Sequence, residues 1–301
     1  MKKITLIGAA VAALALASCS SDNENSQTRN YSLTAYNLYV PATGGGNVEF
    51  KEVVYNLTAR TPENKLMISV DNMPVTGASV ASFRTVEMPF TIGYSQIDGS
   101  SFQSVAASSA NPTASGLAVK NLNMLWTQAF YAPPYAVAGY ENWLTPGGMR
   151  EFLVMQYNLS DMWNVRTFFP DLIFHGATTT EYGMGPYENS GTVYRIKMNL
   201  DNPVSSHYTA DLIVYNAAFE KGADSATVIL KNLDLSFSSS GIDVSGNNVN
   251  ATMQSAGSSS SSTVMFDSFK AKILGDLTNV SINYRVDGRI NGAFTGSCVK
   301  K

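Results

Sequence analysis

The chain has 301 residues and a formal net charge of −3, with 45% hydrophobic and only 14% charged residues. That balance excludes a disordered polyelectrolyte and argues against a nucleic-acid partner, whose footprint is a clustered basic surface. Two cysteines limit any disulfide framework to a single bridge.

Met1-Lys2-Lys3 gives a short positive start, and Ile4–Leu16 is an apolar, Ala-rich run. The run is too short to cross a hydrocarbon core of roughly 30 Å and suits a secretory signal. It ends in Leu16-Ala17-Ser18-Cys19, which resembles the lipobox of bacterial lipoproteins. The resemblance implies that residues 1–18 are a signal peptide and that Cys19 is acylated to become the new first residue. Each buried CH₂ contributes about 0.8 kcal/mol, so several acyl chains anchor a domain firmly. Residues 19–30 are polar and lack apolar periodicity, so a flexible tether is expected there. Asp22 and Glu24 resemble the export signal of Bacteroides-type surface lipoproteins, which implies an outer-membrane protein facing outward. With Cys19 lipidated, Cys298 is a lone thiol.

Beyond the tether the pattern is β. Tyr194, Ile196, Met198 and Leu200 alternate with Arg195, Lys197 and Asn199; Leu233, Leu235 and Phe237 alternate with Asp234 and Ser236; Ile282, Tyr284 and Val286 alternate with Asn283 and Arg285. Such a period of two gives a strand one apolar and one wet face. Short helices are expected only around Asn216–Lys221 and Gly148–Gln156. Turn clusters punctuate the strands at Gly44–Gly46, Asp98–Ser100, Asn111-Pro112, Thr145–Gly148 and Gly257–Ser262.

The chain also resembles itself. At an offset of 160 residues, Val53–Asn56 falls on Ile213–Asn216, Val70–Met73 on Leu230–Leu233, and Leu122–Met124 on Ile282–Tyr284. The expected architecture is therefore all-β: two tandem antiparallel domains, small barrels or sandwiches, related by internal duplication. Their expected bounds are 31–158 and 159–301. Barrel closure would remove sticky sheet edges. The runs Val165–Thr180, Tyr194–Leu200 and Leu212–Phe219 resemble uncharacterised Bacteroides lipoproteins with calycin-like β-barrel domains. That resemblance implies a surface location and little settled chemistry. Gly139 and Trp143 lack the spacing of the Gly-x-Trp start of true lipocalins.

No catalytic signature emerges. With only His175 and His207 there is no His-Glu-x-x-His zinc motif, and no Gly-x-Ser-x-Gly elbow, phosphate loop or calcium loop is present. No catalytic residue, metal or cofactor is expected. A glycoside hydrolase needs only two facing carboxylates, and Glu141, Glu151, Asp161, Asp171 and Glu181 sit among the aromatics of segment 124–187. That segment holds all three tryptophans. Trp126, Phe168 and Phe174 sit in strand-like runs and are expected in cores. Tyr131, Tyr135, Tyr140 and Trp143 sit in Pro/Gly-rich sequence, where aromatic rings can stack on sugars or other flat ligands. Asp224-Ser225-Ala226 resembles a short bacterial O-glycosylation triplet, implying a glycan on Ser225. The expected function is a non-enzymatic, lipid-anchored surface protein that binds an unknown ligand, glycans being one class. An adhesin-like or envelope-complex subunit is the alternative, and a cryptic glycosidase the third.

Overall fold

The computed structural model describes residues 27–44, 48–61, 63–75, 78–97, 100–131, 148–183, 185–204, 207–256, 258 and 260–298. Every regular element among them is a strand. The first ten are β1 (Gln27–Pro41), β2 (Glu49–Thr61), β3 (Lys65–Val75), β4 (Ala78–Thr85), β5 (Met88–Ile97), β6 (Ser100–Ser109), β7 (Thr113–Gly116), β8 (Val119–Tyr131), β9 (Gly148–Leu159) and β10 (Trp163–Phe168).

These ten behave as eight. β3 meets β5 at Lys65↔Pro89 and Leu66↔Met88, and meets β4 from Ser69↔Arg84 to Val75↔Ala78. β4 and β5 are thus one bent strand, interrupted at Val86–Glu87. β6 follows β5 and β7 follows β4, so they form a second bent strand interrupted around Pro112. Proline has no N–H to give a ladder, and its carbonyl here accepts a hydrogen bond from Val86 N at 2.6 Å, which ties the two interruptions together. β2–β3 pairing on one side and β1–β10 pairing on the other close the barrel.

The second barrel is β11 (Asp171–Glu181), β12 (Pro186–Val204), β13 (His207–Ala217), β14 (Ala226–Ser238), β15 (Gly241–Ser255), β16 (Ser262–Leu274), β17 (Asn279–Val286) and β18 (Ile290–Ser297), closed in chain order. The protein is therefore all-β, with two antiparallel eight-stranded barrels in tandem. Both are meanders, which need only short connections and no crossover. In β14 to β18 the apolar residues point inward (Leu233, Ile242, Phe269, Ile282, Phe294), while Lys231, Asp234, Ser236, Asn283 and Arg285 stand exposed.

Several sequence expectations shift. The segment Gly148–Gln156, expected as a helix, is part of strand β9, and Asn216–Lys221 is a strand end followed by a turn. β1 begins at Gln27, inside the segment expected as tether. β10 closes the first barrel, so the barrels meet at Phe169-Pro170 rather than at 158/159. The offset of 160 places β2 on β13 and β3 on β14. It is one strand late, because β2 is the second strand of its barrel and β13 the third.

The first barrel's interior holds a buried polar cluster. Asn37 Nδ2 donates to the hydroxyls of Tyr39 (3.1 Å) and Tyr157 (3.3 Å), and its Oδ1 accepts from Tyr55 (2.8 Å) and Thr167 (2.7 Å). Tyr55 and Tyr157 hydroxyls are 2.9 Å apart. Mutual satisfaction is what makes such burial tolerable.

Candidate functional site

The second barrel has two different ends. At the end holding the β14–β15 and β16–β17 turns it abuts the outer wall of the first barrel. Phe50 stacks between Tyr36 and Phe237 (ring centroids 5.0 and 5.1 Å apart) and lies edge-on to Tyr208. Arg166 Nη1 donates to Ser239 O at 2.8 Å, and Gln156 Nε2 to Gly275 O at 3.2 Å. Tyr36, Leu38, Val40, Val154 and Phe168 of the first barrel merge here with the second barrel's core.

The opposite end is open. It carries a cavity of about 320 Å³, lined by apolar Ala217, Phe219, Ala226, Met253, Val264, Val286 and Ile290 and by polar Glu220, Asp224, Asp287 and Arg289. That volume falls at the lower end of the range for small-ligand sites. The residues between β13 and β14 form one wall. Within them Phe219 turns inward, edge-on to Phe266 and Tyr284 (each 6.3 Å between centroids). Below Phe219, Tyr194, Leu212, Val228 and Phe269 enclose a gap of only about 10 Å³, about the least that holds one water. Phe219 therefore floors the cavity and seals the core beneath it.

Deeper in the barrel the hydroxyls of Thr178 and Tyr194 lie 3.2 Å apart. Burial pushes the Tyr194 phenol up to about 12 and raises Tyr284 well above its ordinary range. These groups stay neutral and act as a polar brace inside an apolar core.

The residues singled out in sequence fall in several places. Tyr131 ends β8; its side chain lies outside the described residues, as do Tyr135, Tyr140, Trp143 and Cys19. Ser225 is half-buried beside Asp224 at the rim of the mouth, and its carbonyl accepts from Ala256 N at 2.8 Å. Trp126, Phe168 and Phe174 are buried, as expected of core residues. Asp161 is ion-paired with Lys120 (2.8 Å) and Asp171 with Arg195 (2.5 Å), while Glu181 is exposed; Glu141 and the Glu151 side chain lie outside the described residues. Cys298 is free and buried, and desolvation pushes its thiol up to about 12. No group of three or more His, Cys, Asp or Glu side chains among the described residues could hold a metal ion.

Sequence reasoning missed the mouth. Its walls come from the β13–β14 connection, the end of β15, the start of β16 and the β17–β18 turn, which only barrel closure brings together. Comparison with protein-family models, with curated proteins and with solved structures returned no match.

Proposed function

We propose that the protein is a lipid-anchored surface protein of the outer membrane that binds, rather than transforms, a small ligand at the open mouth of its second barrel. One observation carries the reading: a cavity of about 320 Å³ with an apolar floor and a charged rim, in a barrel whose other end is covered by its neighbour. Apolar walls supply affinity and a few polar groups supply orientation, the usual division of labour in small-ligand sites. The lipobox ending in Cys19 and the acidic residues after it support the anchor and the outward location. Closed meander barrels support a calycin-like scaffold. A glycan on Ser225 would stand beside the mouth, and the sequence makes Tyr131, Tyr135, Tyr140 and Trp143 a second candidate set for sugars.

Two measurements test this. Metabolic labelling with palmitate should mark the wild type and fail for Cys19→Ala, which should also leave the membrane fraction. A thermal-shift screen of small molecules and oligosaccharides should yield ligands whose effect is lost in Ser255→Trp, which fills the mouth. Ligands lost instead in Tyr140→Ala or Trp143→Ala would move the site to the β8–β9 connection.

A further inference from the structure

The charges at the mouth are not balanced. Among the described residues, Glu220, Asp224 and Asp287 line it against one cation, Arg289. That guanidinium is engaged elsewhere: Nη1 donates to the Tyr182 hydroxyl at 3.0 Å, and the group lies 5.1 Å over the Tyr182 ring. Asp287 Oδ1 accepts from Met265 N at 3.1 Å, and Asp267, outside the lining, takes Gly288 N at 2.6 Å. Glu220 and Asp224 are exposed and have no side-chain hydrogen bond or ion pair among the described residues. Lys221 shares their turn but does not line the cavity. The mouth therefore presents two unengaged carboxylates above an apolar bowl.

A bare metal ion does not fit this arrangement. Chelation needs several ligands converging within about 2.6 Å of one point, and no such grouping exists among the described residues. Two spaced carboxylates over Phe219, Met253, Val264, Val286 and Ile290 suit a larger charge carried on an apolar body. Met253 adds a polarisable thioether able to pack on an aromatic ring. An anionic ligand would meet like charge at the rim, and a neutral one would gain only the apolar contacts.

We infer that the mouth of the second barrel binds a small organic cation, a protonated amine with an apolar or aromatic body. Its ammonium lies toward Glu220 and Asp224, and its body on Met253, Val264 and Ile290 above Phe219. The inference rests on the reading that the mouth is the ligand site, and it adds the charge class of the ligand. Both carboxylates are solvent-exposed, so each contributes only a few-fold in affinity, and the effect weakens as salt rises.

The test uses the full chain carrying ¹³C-methyl methionine, with the Met253 methyl signal as a local reporter at low ionic strength. Three probes share a phenyl body and differ in head group: phenethylammonium, 2-phenylethanol and 3-phenylpropanoate. Phenethylammonium should shift the Met253 signal with an affinity at least about fivefold tighter than 2-phenylethanol, with 3-phenylpropanoate weakest. In the Glu220→Gln/Asp224→Asn double variant its affinity should fall to that of the alcohol. If the alcohol or the carboxylate binds as tightly as the amine, or the preference survives in the double variant, the cation assignment is overturned. Shifts that vanish in Ser255→Trp would still mark the mouth as a ligand site. If no probe moves the Met253 signal, both the assignment and the site fall.

Discussion

Asn37 shows what one buried residue can impose. Its amide joins three tyrosine hydroxyls and Thr167 within the first barrel, and burial keeps those phenols neutral. Tyr55 is pushed up to about 12, and Tyr39 and Tyr157 are raised well above their ordinary range by the same desolvation. In the unfolded chain these tyrosines ionise near pH 10. The tyrosines' contribution is therefore whole below pH 10 and is lost as pH climbs toward the folded values, by about tenfold in the folding constant per pH unit for each such tyrosine. On the acid side, desolvation lowers His175 to about 4. The unfolded histidine takes its proton first, so stability is whole above about pH 6.5 and erodes as pH falls toward 4. The urea midpoint should accordingly be flat between about pH 6.5 and 8.5, sag from there as the unfolded Cys298 thiol ionises while the buried one does not, and drop more steeply above pH 10 and on the acid side. His175→Gln should shallow the acid limb alone. A midpoint that holds steady from pH 10 to 11.5 would show that the phenols ionise without cost.

At the scale of one strand, β18 shows how a small barrel is filled. Its inward positions read Ile290, Gly292, Phe294 and Gly296, large alternating with absent side chains. A Cβ on Gly292 would come 2.0 Å from the Tyr284 ring, and one on Gly296 would come 2.2 Å from the Phe294 ring. The rings occupy the space that the glycines leave, and Phe294 in turn meets Tyr194 at 4.1 Å between centroids. Gly292→Ala should cost about 3 kcal/mol, since a rigid ring must move. Added to Tyr284→Ala it should cost almost nothing, because the ring that clashes is gone. A double-mutant cycle in urea reads this coupling, and additive costs would show that the ring does not depend on Gly292. The same scale explains which strands the sequence reveals. β12, β14 and β17 have polar residues between their apolar ones, exposed in the second halves of β14 and β17 and buried or half-buried in β12, so period two stands out. β9 does not: Leu153, Met155 and Tyr157 face the first core while Val154 faces the second barrel, all of them buried. With both faces apolar the alternation vanishes, and Gly148–Gln156 reads as a helix. β1 hides for the same reason, Ala35, Asn37 and Tyr39 facing inward and Tyr36, Leu38 and Val40 facing the neighbour. The mouth was illegible for a different reason, since Phe219, Met253 and Arg289 share no spacing and meet only when β18 closes on β11.

At the scale of the whole molecule, the two barrels share a seam, and Phe50 sits at its centre. It stacks on Tyr36 and Phe237 and meets Tyr208 edge-on, while Arg166 and Gln156 donate to carbonyls of the second barrel's turns. The proposed lipid anchor at Cys19 precedes the first barrel in sequence, and the proposed mouth lies at the far end of the second. The seam therefore fixes which way the mouth faces relative to the first barrel and the start of β1. The protein carries its own reporters for this coupling. Trp126 lies in β8 and Trp163 in β10, so their fluorescence follows the first barrel. Cys298 is buried beside Leu277 in the second and reacts with a thiol reagent only once that end opens. In the wild type the two signals should report one cooperative transition in urea. Phe50→Ala removes a half-buried ring from the seam at a cost of about 2 kcal/mol and should split them, with Cys298 reacting before tryptophan fluorescence changes. Coincident curves in that variant would mean that the barrels are coupled through something other than this aromatic stack.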